Sequence, residues 1–308
     1  MRRVTVLLSG VPGLAEFRRR LGAELFARVA GPQGPASRRR IHETPGPRWF
    51  GPERPIRAVH GDASMFVGGL RALLLQSLHP LAMAAVAGHS GYRGDPWGRL
   101  QRTSTFLAVT TFGTAEDAQR AVDHVRSVHR RVRGVTAAGE PYRADDPHLL
   151  GWVHAAEVDS FLRAHRAYGA RRLDDAAYDG YVADAARVAG ALGVPDPPRT
   201  RQELADRIAA YRPELRAGPE ALDAARFLLF HPPVPLVALP AYGVLAASAA
   251  ALLPGWARRQ LGLPRIPLVE TTAVPLAGHA LTATIRWAMV PPPSPVPPAG
   301  PAQGASSS

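Results

Sequence analysis

His129 is the residue of this 308-residue chain whose setting most invites chemistry. Residues 114–134 read TAEDAQRAVDHVRSVHRRVRG, and the pattern predicts one helix over that span. Thr114 is placed as N-cap, Asp117 stands where a capping-box carboxylate reaches back, and Gly134 supplies the stop. Ala118, Val122, Val125 and Val132 recur at spacings of three and four, a core-facing stripe, and His129 falls on it. Arg126 and Arg133 lie three before and four after the histidine, on roughly the same face. Two chemistries fit. One is a core histidine satisfied by a carbonyl, with arginines that snorkel to solvent. The other is an axial metal or haem ligand, flanked by cations that meet an anionic cofactor edge.

Other candidates are weaker by themselves. Arg99 and Thr103 are four apart and share a helical face, with Arg102 beside them. His154 and Glu157 are three apart, but di-iron bundles use the reverse order, Glu-x-x-His, twice over, and no second copy exists. His79 and His89 each end an apolar segment, where a histidine commonly caps the helix C-terminus. No Gly-rich phosphate loop, Gly-x-Ser-x-Gly elbow or His-Glu-x-x-His helix is present.

The elements that must position these residues read as helices throughout. A helix covers about 14–29, followed by a proline-laden loop to residue 57. Between Asp62 and Arg93 the one charged residue is Arg71, and Pro80 divides the stretch into helices of about 62–78 and 80–88. Asp95-Pro96 starts a helix that ends at Gly113, one or two residues before the next begins, so the two must pack as a pair. Asp146-Pro147 starts another, and two polar amphipathic helices fill 174–217. The uncharged stretch Phe227–Trp256 is broken by Pro232, Pro233, Pro235 and Pro240, which favours a buried or interfacial helix over a membrane span. Trp256, Arg258 and Arg259 give it a basic, aromatic end suited to a membrane surface. A last helix lies within 265–290, and the Pro/Gly/Ser tail beyond is expected to be disordered. No strand pattern is convincing. The expectation is an all-α protein with one large domain of roughly ten helices: an N-terminal helix and loop over 1–54, the main domain over 55–290, and the tail over 291–308.

Composition narrows the function classes. Without cysteine there is no disulfide, thiolate zinc site, iron–sulfur cluster or cysteine nucleophile. The net charge of +12 comes entirely from arginine, with lysine and asparagine absent. Residues with A/T-rich codons are depleted, so codon usage accounts for much of that excess, and no nucleic-acid-binding motif accompanies it. The first ten residues read as an amphipathic helix rather than an export signal, which points to the cytoplasm or its membrane face.

The segments HGDASMFVGGLRALLLQSLHP, DPWGRLQRT with FGT, RSVHRRVRG and GEPYRADDPHLLGWVHA, in that order, resemble the bacterial relatives of the latex-clearing rubber oxygenases and the fungal MpaB-type oxygenases, over about 55–265. The resemblance implies an all-α fold and, as in the rubber oxygenases, a b-type haem held by one histidine. His129 matches that axial ligand, Arg126 and Arg133 match the arginines around it, and Arg99 and Thr103 match the Arg-x-x-x-Thr pair near the haem. A neutral helix imidazole is a normal haem ligand, and arginines suit propionates. Two family features are missing. No carboxylate lies between Asp62 and Asp95 to serve as the family's proposed base, and Arg102 stands where a lysine can be the opposite ligand. An arginine, always protonated, does not ligate iron, so the resemblance implies a five-coordinate or water-bound haem. The implied activity is oxygenation of a hydrophobic, isoprenoid- or lipid-like substrate by O2, with peripheral membrane contact through 227–259. A non-catalytic haem or apolar-ligand binder is the alternative, and a membrane-peripheral structural protein a third.

Overall fold

The computed structural model describes residues 13–89 and 94–289; the expectations for the first ten residues and for the tail lie outside them. Fifteen α-helices and one small hairpin make up the described chain. The helices are α1 (Leu14–Ala30), α2 (Gly34–Glu43), α3 (Pro55–His60), α4 (Met65–Gln76), α5 (Pro80–His89), α6 (Pro96–Phe112), α7 (Ala115–His129), α8 (Pro147–Tyr168), α9 (Asp175–Leu192), α10 (Arg201–Tyr211), α11 (Pro219–Phe230), α12 (Leu239–Ala251), α13 (Gly255–Gln260), α14 (Pro267–Thr271) and α15 (Ala273–Met289). The all-α expectation holds. The count exceeds ten because several breaks add short helices, notably α3, α13 and α14, that carry no periodicity long enough to read.

Helices α4 and α8 are the central pair. They approach closely because α4 presents Gly68, where a Cβ would come within 2.7 Å of the Phe161 ring. Arg71, fully buried on α4, is satisfied on three sides: Asp159 at 2.7 Å, the Ser160 hydroxyl at 2.6 Å and the Leu252 carbonyl at 2.9 Å. One core cluster joins α3, α8 and α9 through Ile56, Val59, Phe161, Tyr178 and Tyr181. Another gathers Leu74, Leu75, Leu78, Trp152, Tyr211 and Leu253 at the opposite end of α4. The last helix, α15, packs on α12 and α1, and its Arg286 donates to Asp62 at 2.8 Å.

Four expectations are corrected. The proline-laden loop contains α2, whose Pro35 sits in the first turn, where a missing N–H costs nothing, and whose Ile41 is buried. The helix after Thr114 ends at His129, short of Gly134. Residues 133–135 instead pair antiparallel with 141–143, Arg133 opposite Arg143 and Gly134 opposite Tyr142. Gly134 is needed there because a Cβ would meet the Tyr142 ring at 2.7 Å or less; tertiary pairing overrides the local helical pattern. Arg258, read as part of a free basic end, is buried and makes a two-pronged pair with Glu270, at 2.6 and 2.7 Å.

The apolar stretch after Asp62 turns by 108° between α4 and α5, and no single described helix is long and apolar enough to cross a membrane.

Candidate functional site

Local signals fix the α6–α7 pair. The Asp95 carboxylate accepts from the Gly98 N–H at 2.8 Å, and Pro96 opens α6. At the reversal, the Thr114 hydroxyl oxygen accepts from the Asp117 N–H at 3.1 Å, and the same hydroxyl donates to the Asp117 carboxylate at 3.0 Å. Arg40 of α2 also donates to Asp117, at 2.6 Å, and ties α2 to the cap of α7. Ala118 and Val122 are fully buried below this cap.

His129 is the last residue of α7 and is half-buried. Its ring makes no hydrogen bond to any described residue. Burial lowers its pKa, and the Asp145 carboxylate acts in the opposite direction. The lowered pKa favours the neutral imidazole, the form that a metal or haem iron binds.

The other four expected residues are placed as follows. Arg99 is half-buried and lines a cavity of about 100 Å3 with Leu73, Gln76, Met83, Val153 and Phe227. Thr103 is exposed, and its hydroxyl donates back to the Arg99 carbonyl at 3.0 Å. Arg126 is exposed and donates to the Ala191 carbonyl of α9 at 3.4 Å. Arg133 is off the helix altogether; it is exposed on β1 (Arg133–Val135), donating to the Arg130 carbonyl. Helical spacing therefore does not put Arg133 on the His129 face. The structure keeps Arg99 and Thr103 one turn apart on α6 and places Arg126 one turn before His129.

Sequence reasoning passed over a set of polar groups inside the bundle. His60 on α3 bonds the Thr111 hydroxyl at 2.8 Å and the Tyr181 hydroxyl at 3.4 Å, and burial pushes its pKa down to about 3. His154 on α8 has an Nε2 with no partner and a pKa lowered by burial to about 4. Glu157, one turn on, pairs with no described residue, and burial raises its carboxyl to about 7. His60 also packs edge-on against Phe161 and Tyr181, at 5.5 and 5.6 Å between ring centres, while His154 and Glu157 are half-buried on α8. Buried groups with titration shifted this far are found more often at functional sites than elsewhere. The signal available in sequence was Glu157, a carboxylate one turn after Val153 and one turn before Phe161, read only for its metal spacing.

A protein-family model described as ER-bound oxygenase mpaB/B'/Rubber oxygenase, catalytic domain, matches residues 57–287. Two curated relatives match a shorter stretch, "Uncharacterized protein Mb2261" of Mycobacterium bovis and "Uncharacterized protein Rv2237" of Mycobacterium tuberculosis. Each is 37% identical over 102 residues, which is 33% of this chain and 39% of the relative. The matched stretch thus spans about two fifths of the length of these relatives. No solved structure matches the chain.

Proposed function

The chain belongs to the family of the ER-bound mpaB/B' and rubber oxygenase catalytic domain, and from that premise we propose that it is a haem b-dependent oxygenase with His129 as its axial iron ligand. The observation that carries this reading is the state of His129 itself: a neutral imidazole, free of hydrogen bonds to described residues, at the end of a well-capped helix within the matched domain. The haem would supply the activation of O2. The chain's part is to hold and enclose it.

Arg99, Arg126 and Arg133 would be the cations for the propionates, Arg126 and Arg133 by leaving the Ala191 and Arg130 carbonyls they now meet. Thr103 lies one turn from Arg99 and sets polarity at the same end of α6. The carboxylate that the sequence lacked between Asp62 and Asp95 has a substitute in kind: Glu157, poised by burial near neutral pH, can accept or release a proton inside the bundle. The substrate is a hydrophobic molecule of isoprenoid or lipid type, with O2 as co-substrate. Exposed Phe230, Leu236 and Val237, the latter two 84% and 89% exposed, support a peripheral contact of 227–259 with a membrane, from which such a substrate would enter. The cytoplasmic face of that membrane is the proposed location.

Oxygen uptake by the haem-loaded protein tests the activity. With polyisoprenoid or unsaturated lipid dispersions, uptake should exceed the substrate-free rate, and Glu157→Gln should lower it by about tenfold or more. Haem-loaded protein with no uptake on any of these substrates would favour the non-catalytic binder.

A further inference from the structure

His79, His148 and Glu214 come together outside the region just described. His79 follows α4, His148 opens α8, and Glu214 ends the 3-10 turn Arg212–Glu214. One ligand atom from each lies within 4.8 Å of the other two. His79 is 3% exposed, yet neither ring nitrogen has a hydrogen-bond partner among the described residues. A buried imidazole whose Nδ1 has no partner and whose Nε2 reaches Glu214 only at ion-pair distance is under-satisfied, and a metal ion at Nε2 would be the stronger partner. Its Nε2 stands 3.4 Å from Glu214 Oε2, and His148 Nε2 stands 2.7 Å from the same oxygen.

The cluster is built rather than incidental. The Arg216 N–H donates to the Leu78 carbonyl at 2.8 Å, which pins the turn bearing Glu214 against the residue preceding His79. Tyr211 donates to the His148 carbonyl at 2.8 Å, and Trp152 donates to the Gln76 carbonyl at 3.1 Å. Three separate elements are thus held in register around the three ligand atoms.

We propose that His79, His148 and Glu214 bind one divalent transition-metal ion of the zinc class. Two imidazole nitrogens and one carboxylate oxygen are borderline donors that favour such ions over magnesium or calcium. Metal–ligand bonds of about 2.0–2.2 Å put tetrahedral donors about 3.3 Å apart. The His79–Glu214 separation already meets this, and the His148–Glu214 hydrogen bond need open by only about 0.6 Å. The His148 and Glu214 side chains are 55% and 43% exposed, which gives the ion an entry path and leaves a position for water. The site is independent of the haem reading, since neither His129 nor any other proposed haem contact takes part.

The test is calorimetric titration of Zn2+ into chelator-stripped full-length protein, with Mg2+ in parallel. One Zn2+ per chain should bind, with Mg2+ at least about a hundredfold weaker. His148→Ala and Glu214→Gln, both at exposed side chains, should each weaken Zn2+ binding about tenfold or more while leaving the far-UV spectrum unchanged. His129→Ala should bind Zn2+ as the parent does. No stoichiometric Zn2+ binding, unchanged affinity in both exposed-site variants, Mg2+ binding of equal strength, or loss of the ion in His129→Ala would each overturn the proposal. A protein that binds Zn2+ but takes up no haem would leave this site standing and remove the other.

Discussion

Glu157 shows how much a single buried group can set. Burial raises its carboxyl from 4.5 to about 7, so the folded state holds the proton more tightly than the unfolded chain. Its contribution to stability is fully present below pH 4.5 and is lost as pH rises through about 7. Glu157→Gln should therefore be more stable than the parent by about 3 kcal/mol at pH 8 and nearly equal to it at pH 4, as read from urea unfolding at both pH values. His154 has the opposite sign. Its pKa falls from 6.5 to about 4, so its contribution is present above 6.5 and is lost as pH falls through about 4. His154→Gln should remove part of the acid sensitivity between those limits, by the same unfolding measurement. Neither effect was legible in the sequence. His154 and Glu157 could be paired there only by spacing, whereas their shifted titration comes from burial that only the folded bundle supplies. The His79–His148–Glu214 cluster was less legible still, because its members are far apart in sequence, 66 residues separating the last two. His79 could be read only as a helix-end residue until α10 and its following turn were placed beside it.

Among the elements, the α6–α7 pair was the most legible, because its boundaries are written locally. Asp95-Pro96 and Thr114–Asp117 are caps that act within one turn, and both form as their residue types require. Thr114→Ala should cost about 1–2 kcal/mol in denaturant unfolding, since it removes both the cap and a hydroxyl bond to buried Asp117. The far end of α7 was misread for an equally physical reason. Gly134 looks like a helix stop, but it is used for the close passage of the Tyr142 ring in a hairpin that local periodicity does not encode. That displacement moves Arg133 off the helix and leaves Arg126, one turn before His129, as the one of these two flanking arginines still on α7.

At the scale of the molecule, α4 within the apolar stretch is largely buried in the bundle, with Val67, Leu70, Leu74 and Leu75 in its core. Helices α4 and α5 bend by 108°, and Arg71 sits at the centre of the α4–α8 contact with all its partners in protein. Arg71→Met should cost about 3–5 kcal/mol, because Asp159 and Ser160 would stay buried with a lost donor, and thermal unfolding followed by circular dichroism reads that loss. The all-α class and the family were both legible, since long apolar periodicity and four ordered segments carry them, and the family match now extends over 57–287. The central claim is that this bundle holds haem through His129. The absorption spectrum of protein purified from haem-replete cells tests it most directly. Haem held by His129 should give a Soret band that disappears in His129→Ala while the far-UV spectrum is unchanged; a folded parent protein without that band, or a band undiminished in His129→Ala, would contradict it.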